Sequence, residues 1–195
     1  ASDVYKRQRL SKSAKVTLLE AEENLGYHSS SRSAAAFIED YGNEVIREFN
    51  SASKSFLSKD GVDVLSPRGS LILGKKDEKY AFKEQCSSFA HNEISVSDAR
   101  SLIEIINNKS VEYAGYKEDI FDIDTDKLLQ HFTKDIKANG SEIFTESKVI
   151  AAEFKKGKWQ ITTNRKTFIC DVIVNAAGAW VCLLYTSPSP RDTAL

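Results

Sequence analysis

The sequence predicts an α/β fold, a parallel-sheet domain with a mixed α+β segment inserted. Three observations carry the prediction. An apolar run, Val16-Thr17-Leu18-Leu19, stops at an acid, Glu20. A well-patterned amphipathic helix in the second half leads into a series of short alternating strands. A β-branched run, Val172-Ile173-Val174, then passes into the small residues Ala176-Ala177-Gly178.

The elements follow in order. Val16 to Leu19 reads as a strand buried on both faces, because β-branched and apolar neighbours stand side by side. A carboxylate at the carboxyl end of such a strand suits a ribose, since its two acceptor oxygens can hold vicinal hydroxyls. An ordinary surface acid would look the same. A turn at Gly26 leads to His28-Ser29-Ser30-Ser31-Arg32-Ser33-Ala34-Ala35-Ala36. Small side chains let the backbone approach a ligand, and hydroxyls, amides and one arginine suit a pyrophosphate. The competing reading is a polar loop entering an Ala-rich helix, with Arg32 in water. His28 is a lone histidine with no carboxylate at motif spacing and reads as shaping the loop rather than as a base.

Asn43 to Lys59 has helical spacing with Asn43 as its cap. Val62 to Leu65 and Ser70 to Leu73 read as strands around a Pro67-Arg68-Gly69 turn. Glu78 to Ala90 reads as a helix, Ile94 to Val96 as extended, and Asp98 to Ile106 as a helix capped by Ser97. Tyr113 to Tyr116 reads as a strand. Asp124 or Thr125 caps a helix whose apolar face is Leu128, Leu129, Phe132 and Ile136 and which Asn139-Gly140 closes. Glu142 to Phe144, Val149 to Phe154, Trp159 to Thr163 and Thr167 to Ile169 read as an antiparallel meander. Asp171 to Ala177 reads as a buried return strand.

Composition narrows the function classes. With 41% hydrophobic and 10% aromatic residues in 195, there is enough apolar material for a core. A formal net charge of −1 gives no reason to expect nucleic acid. No apolar stretch approaches the roughly 20 residues that span a bilayer. Cys86 and Cys170 are too few and too isolated for a disulfide framework or a metal site, which suggests a reducing, cytoplasmic setting.

The ends are expected to be foreign. Val4 to Gln8 back-translates as GTG TAT AAG AGA CAG, and the complementary strand, shifted by one base, encodes Cys182-Leu183-Leu184-Tyr185. Both ends then read as opposite strands of one adapter repeat, and the segment between them as an internal piece of a longer protein. A polar tail and a Ser/Pro-rich linker would not explain the complementarity. No Gly-x-Gly-x-x-Gly turn occurs; on this reading it lies upstream, and Arg9 to Ser13 would be the end of its helix.

The acid-ended strand followed by Gly26-Tyr27-His28-Ser29-Ser30-Ser31-Arg32-Ser33-Ala34-Ala35, then Leu65-Ser66-Pro67-Arg68, Asp122 to Asp126, and Val174 to Trp180, resembles the FAD-dependent amine and amino-acid oxidoreductases of the D-amino-acid oxidase type, nearest their D-arginine dehydrogenase branch. The likeness runs from Arg9 to Trp180. It implies a Rossmann-like FAD-binding domain in two parts, 9–54 and 117–181, around part of a substrate domain, 55–116, with tails at 1–8 and 182–195. It implies FAD contacts at Glu20, Ala21, Ser29, Ser30, Ser31, Arg32, Ser33, Ala34, Ala35 and Ala36. Further contacts fall at Val149, whose backbone would face adenine, at Ala176, Ala177 and Gly178, and at Trp180.

On the substrate side the likeness places Tyr41 on a mobile loop, although a tyrosine packed at a helix start fits as well. It places Ser70 where that branch has an acid for the guanidinium, and Ala36 where it has a histidine. A hydroxyl pairs with a cation less strongly than a carboxylate does. The likeness therefore supports the chemistry more than arginine as substrate. The implied reaction is hydride transfer from an amine's α-carbon to flavin N5, giving an imine that hydrolyses to a 2-oxo acid. The residues that clamp the substrate carboxylate would lie beyond Val181, so the chain is expected to be inactive and to retain no FAD. A small amino acid or amine is the expected partner. Alternatives are a 2-hydroxy-acid dehydrogenase using the same cofactor and a non-catalytic nucleotide-binding module such as a NAD sensor.

Overall fold

In the computed structural model, which describes residues 13–184, the run that ends at Glu20 is a strand, β1 (Thr17–Leu19). There follow a 3-10 turn at Ser29–Arg32, β2 (Ala36–Ile38), α1 (Glu44–Leu57), β3 (Leu65–Pro67), β4 (Ser70–Gly74) and α2 (Lys79–Ser88). Next come β5 (Asn92–Ile94), α3 (Val96–Leu102), β6 (Tyr113–Lys117), β7 (Ile120–Ile123) and α4 (Thr125–Ala138). The last elements are β8 (Glu142–Phe144), β9 (Val149–Lys155), β10 (Lys158–Thr163), β11 (Thr167–Cys170) and a 3-10 stretch at Gly178–Leu184. The described residues divide into two compact units, one of 13–32 with 126–184 and one of 33–125.

In the first unit β1 and β8 pair in parallel, with Thr17 opposite Glu142 and Leu19 opposite Phe144. Parallel neighbours need a crossover connection, and α4 supplies its last leg. Phe132 and Ile136 on α4 are 3% and 0% exposed, as expected for its apolar face. Gly140 (φ 70°) closes the helix, and Ser141 N donates to Ile136 O at 3.2 Å. The other sheet is β11-β10-β9, all antiparallel. The meander is thus three-stranded, and Glu142–Phe144 belongs to the parallel pair instead. Strand polarity is not encoded in a three-residue apolar run, so the sequence alone assigns β8 to the wrong sheet. β1 also departs from the expected two-sided burial: Leu18 is buried while Thr17, on the opposite face, is exposed.

The expected return strand does not form. Residues 172–177 have no regular structure, and Val172 is 75% exposed. Asn175 supplies the reason: its Nδ2 donates to Val181 O at 3.0 Å and its Oδ1 accepts from Ala177 N at 3.3 Å. Local side-chain bonds of this kind compete with a ladder.

The second unit holds two three-stranded sheets, β2-β7-β3 and β4-β6-β5, every pair antiparallel. Ala36 to Ile38 is a strand rather than the start of an Ala-rich helix, because Phe37 is buried and the run pairs with β7. α1 starts where Asn43 predicts, with Oδ1 accepting from Ile46 N at 3.1 Å. α3 starts two residues earlier than expected. Ser95, not Ser97, is its cap, accepting from Asp98 N at 3.0 Å; two serines in alternation leave the register open in sequence. Ala99, Ile106 and Ala114 form a buried cluster joined by Leu71, Ile94 and Val111. Gly115 lets α2 lie close to β6, since a Cβ there would stand 2.6 Å from Cys86 Sγ.

Candidate functional site

The first unit carries Glu20. Its backbone is fixed on both sides: Glu20 N donates to Phe144 O at 2.9 Å, and Ser147 N donates to Glu20 O at 2.7 Å. The carboxylate therefore leaves the end of a parallel strand in a defined direction. Oε1 accepts from Glu22 N at 3.0 Å, and the other oxygen has no partner among the described residues. Ala21 lies exposed in the turn that follows. A half-buried acid with one oxygen braced and one open fits a ribose hydroxyl.

Gly26 makes the turn with φ 74°, where a Cβ would meet Leu129 Cδ1 at 2.6 Å. Ser29 to Arg32 forms the 3-10 turn. Its hydroxyls are not equally free. Ser31 Oγ donates within the turn, 3.1 Å from Tyr27 O, whereas Ser29 is exposed; Ser30 is half-buried. Arg32 lies over the Tyr27 ring at 4.7 Å, so it is braced and does not simply trail into water. Val149 is the half-buried first residue of β9, opposite Thr163 beyond a register shift.

Ala176 and Ala177 are half-buried, and Gly178 has φ 56°, with nothing within 4 Å of a Cβ added there. Its freedom serves the backbone turn rather than close packing. Trp180 is 46% exposed and its ring centroid lies 4.4 Å from that of His28. His28 has the carboxylate partner that spacing did not reveal: Nε2 is 2.9 Å from Glu22 Oε1. No motif spacing signals that pair, because the turn at Gly26 brings the two together.

In the second unit three stretches far apart in sequence meet at one sheet. Ala36 pairs with Asp122 and Ser66 with the same Asp122. Arg68 Nη1 donates to Ala34 O at 3.0 Å and to Asp122 Oδ1 at 2.9 Å. Ser33 Oγ accepts from Ala35 N at 3.1 Å, and Ala35 adopts φ 52°. A left-handed alanine is strained, and Arg68 on the preceding carbonyl helps hold it. Sequence reasoning marked Arg68 as part of a turn but not this role.

The stretch carrying Tyr41 is tied down rather than open. Asn50 Nδ2 donates to the carbonyls of Ile38, Glu39 and Tyr41, each at 3.2 Å. Arg47 Nε reaches Gly42 O at 2.9 Å, and Lys54 Nζ reaches Glu39 at 2.6 Å. Tyr41 itself is 57% exposed and stacks near Phe89, ring centroids 6.3 Å apart. Ser70 opens β4 opposite Lys117, and Lys117 Nζ pairs with Asp40 beside Tyr41. Lys117 thus links the two substrate-side candidates, which no motif announces. That pair holds the Asp40 carboxyl below its ordinary range.

The family model described as DAO, FAD dependent oxidoreductase, matches residues 7–192. The chain belongs to this family. FAD is accordingly its cofactor.

Solved structures agree on the fold. The chain is similar to the L-proline dehydrogenase from P. horikoshii at a TM-score of 0.74 and 18% identity, covering 93% of this chain and 51% of that one. It is similar to the glycine oxidase from Geobacillus kaustophilus at 0.75 and 14%, covering 93% and 54%. It is also similar to the L-alpha-glycerophosphate oxidase from Mycoplasma pneumoniae with FAD bound at 0.70 and 15%, covering 89% and 50%. The chain thus spans about half the length of these structures. Among the described residues, no helix is long and apolar enough to cross a membrane.

Proposed function

We propose that the protein is an FAD-dependent dehydrogenase or oxidase that acts on the CH–NH2 bond of a D-amino acid or a related amine. The observation that carries the reading is the Glu20 carboxylate, braced by Glu22 N on one oxygen and open on the other, at the end of a parallel strand. The family match supports the cofactor, and several of its structural neighbours are enzymes of amino acids by name. Bound FAD supplies the two-electron acceptor. Glu20 would hold the adenosine ribose, with Ala21 beside it. Ser29, Ser30, Arg32 and the backbone of Ser31 and Ser33 to Ala36 would face the pyrophosphate and flavin edge. Val149 would meet adenine, and Ala176 to Gly178 with Trp180 would border the cofactor. Tyr41 and Ser70 would lie on the substrate side.

Within the family we place the chain nearest the D-arginine dehydrogenase branch in motif but not in substrate. Ser70 and Ala36 stand where that branch has an acid and a histidine, so a neutral side chain suits this protein better than a guanidinium. The reading also places the chain in the cytoplasm, on its cysteine usage, and takes it to be inactive and free of retained FAD when isolated. The similarity to a glycerophosphate oxidase favours, as a second reading, oxidation of a C–O bond such as that of a 2-hydroxy acid.

The test is a titration of the chain with FAD, FMN and NAD. FAD should bind weakly and FMN, which lacks the adenosine, should not. Binding of NAD in preference to FAD would overturn the reading, and turnover of D-amino acids with added FAD would contradict the inactivity.

A further inference from the structure

The segment that carries Ala176 to Trp180 has no ladder to hold it. Residues 172–177 form no strand, and Asn175 braces the segment only against itself, at Val181 O and Ala177 N. Among the described residues, a side-chain contact joins it to the Glu20 turn. The His28 ring lies 4.4 Å from the Trp180 ring at a 44° tilt, and Tyr27 meets His28 edge-on at 5.1 Å. His28 is fixed in turn: Nε2 is 2.9 Å from Glu22 Oε1. A carboxylate only accepts, so Nε2 carries the proton and donates. Glu22 is fixed as well, because its N–H donates to Glu20 Oε1 at 3.0 Å. A continuous chain of contacts therefore runs Glu20, Glu22, His28, Trp180, every member in the same unit.

We propose that His28 is a positioning residue that, aligned by Glu22, ties the Trp180 segment to the Glu20 turn and so orders both borders of the adenosine-diphosphate end of the cofactor together. This rests on the reading of Glu20 as the ribose acid. The geometry explains why a histidine suits the place better than another aromatic: the ring stacks on an indole while one edge donates to a carboxylate, which fixes its rotation. Phenylalanine would keep the stacking surface and lose the fixed rotation. The tie links the cofactor turn to the return segment without backbone pairing, so a change at Glu22 is felt at Trp180.

The experiment uses Trp159→Phe as background, which leaves Trp180 as the sole tryptophan, and ADP as the ligand. Tryptophan emission and acrylamide quenching are read without ligand, and ADP affinity by calorimetry. In that background His28→Ala and Glu22→Ala should each shift Trp180 emission to the red and raise its quenching, whereas Glu22→Gln, which keeps an acceptor oxygen, should stay near the parent. ADP should bind about three- to tenfold more weakly to His28→Ala, the cost of re-ordering a loosened segment. Glu22→Ala leaves the histidine ring in place and so reports on the tie even if His28→Ala does not fold. Trp180 emission and quenching unchanged in both alanine variants would overturn the proposal. So would a shifted Trp180 with ADP affinity unchanged in His28→Ala while Glu20→Ala weakens ADP. If instead Glu20→Ala leaves ADP affinity unaltered, the ribose reading fails, and the ligand-free emission still decides the tie.

Discussion

Arg68 shows how one side chain can join parts of a sequence that carry no visible relation. It bonds Ala34 O and Asp122 and so couples the strained Ala35 to β7 and β3. Because the guanidinium is 43% exposed, the ion pair itself contributes little, and the charge-assisted bond to the carbonyl carries most of the effect. Arg68→Ala should therefore destabilise the fold by about 1 kcal/mol, read as a lower urea midpoint at unchanged slope.

Three further residues make the stability depend on pH, in two separate windows. Hydrogen bonds from Lys117 to Asp40, and from Lys54 and then Ser51 to Glu39, hold both carboxyls below their ordinary range. Folded values below the unfolded ones mean that this stabilisation is complete above about pH 4 and is lost as pH falls through the folded values. Asp40→Asn with Glu39→Gln should flatten the acid limb of the urea midpoint against pH. His91 behaves differently. It is 9% exposed, its Nδ1 meets Phe89 O at 3.2 Å, and its Nε2 has no partner among the described residues. Burial, reinforced by the Lys117 charge and opposed by the Phe89 carbonyl, lowers its pKa. The fold keeps it neutral while the unfolded chain protonates near 6.5, so its contribution is complete above about pH 6.5 and declines as pH drops toward the folded value. His91→Phe should remove that decline between about pH 6.5 and the acid limb. An unchanged slope there would contradict the assignment. None of these roles was legible in sequence: Arg68 and Lys117 act through partners that only the fold brings near, and His91 through a burial that only the fold creates.

Elements follow the sequence where a local signal is strong and depart where the deciding neighbour is distant. Asn43 opens its helix and Gly140 closes its own as read, since a cap or a left-handed glycine acts within a few residues. The start of α3 slipped by two residues because Ser95 and Ser97 are both competent caps and only the chain path selects one. Ser95→Ala should cost about 1 kcal/mol and Ser97→Ala much less, measured by denaturation; the reverse order would restore the sequence-based start. The strands β2 and β7 were hidden, one inside an alanine run and the other among acids, because each is only as stable as its partner. The residues from 172 to 177 show the opposite failure. Val172-Ile173-Val174 has strand propensity, but propensity without a neighbour's ladder is weak, and Asn175 satisfies its own segment.

At the scale of the molecule, the family was legible because four motif stretches stand in order, and the match over residues 7–192 is consistent with them. The structure explains that order. Three of the stretches meet at the β2-β7-β3 sheet through Arg68. The acid-ended strand meets the last stretch through Glu22 and His28. The substrate was not legible: under the proposed reading Ser70 and Ala36 stand where the resembled branch has an acid and a histidine, and an absent partner does not name the side chain that binds. The proposed FAD site depends most on the Glu20 carboxylate accepting from the ribose hydroxyls. Its most direct measurement compares ADP with 2′,3′-dideoxy-ADP on the parent chain and on Glu20→Ala. Loss of the hydroxyls should weaken binding to the parent about tenfold and make no further difference to Glu20→Ala. Equal discrimination by both proteins, or none by the parent, would contradict it.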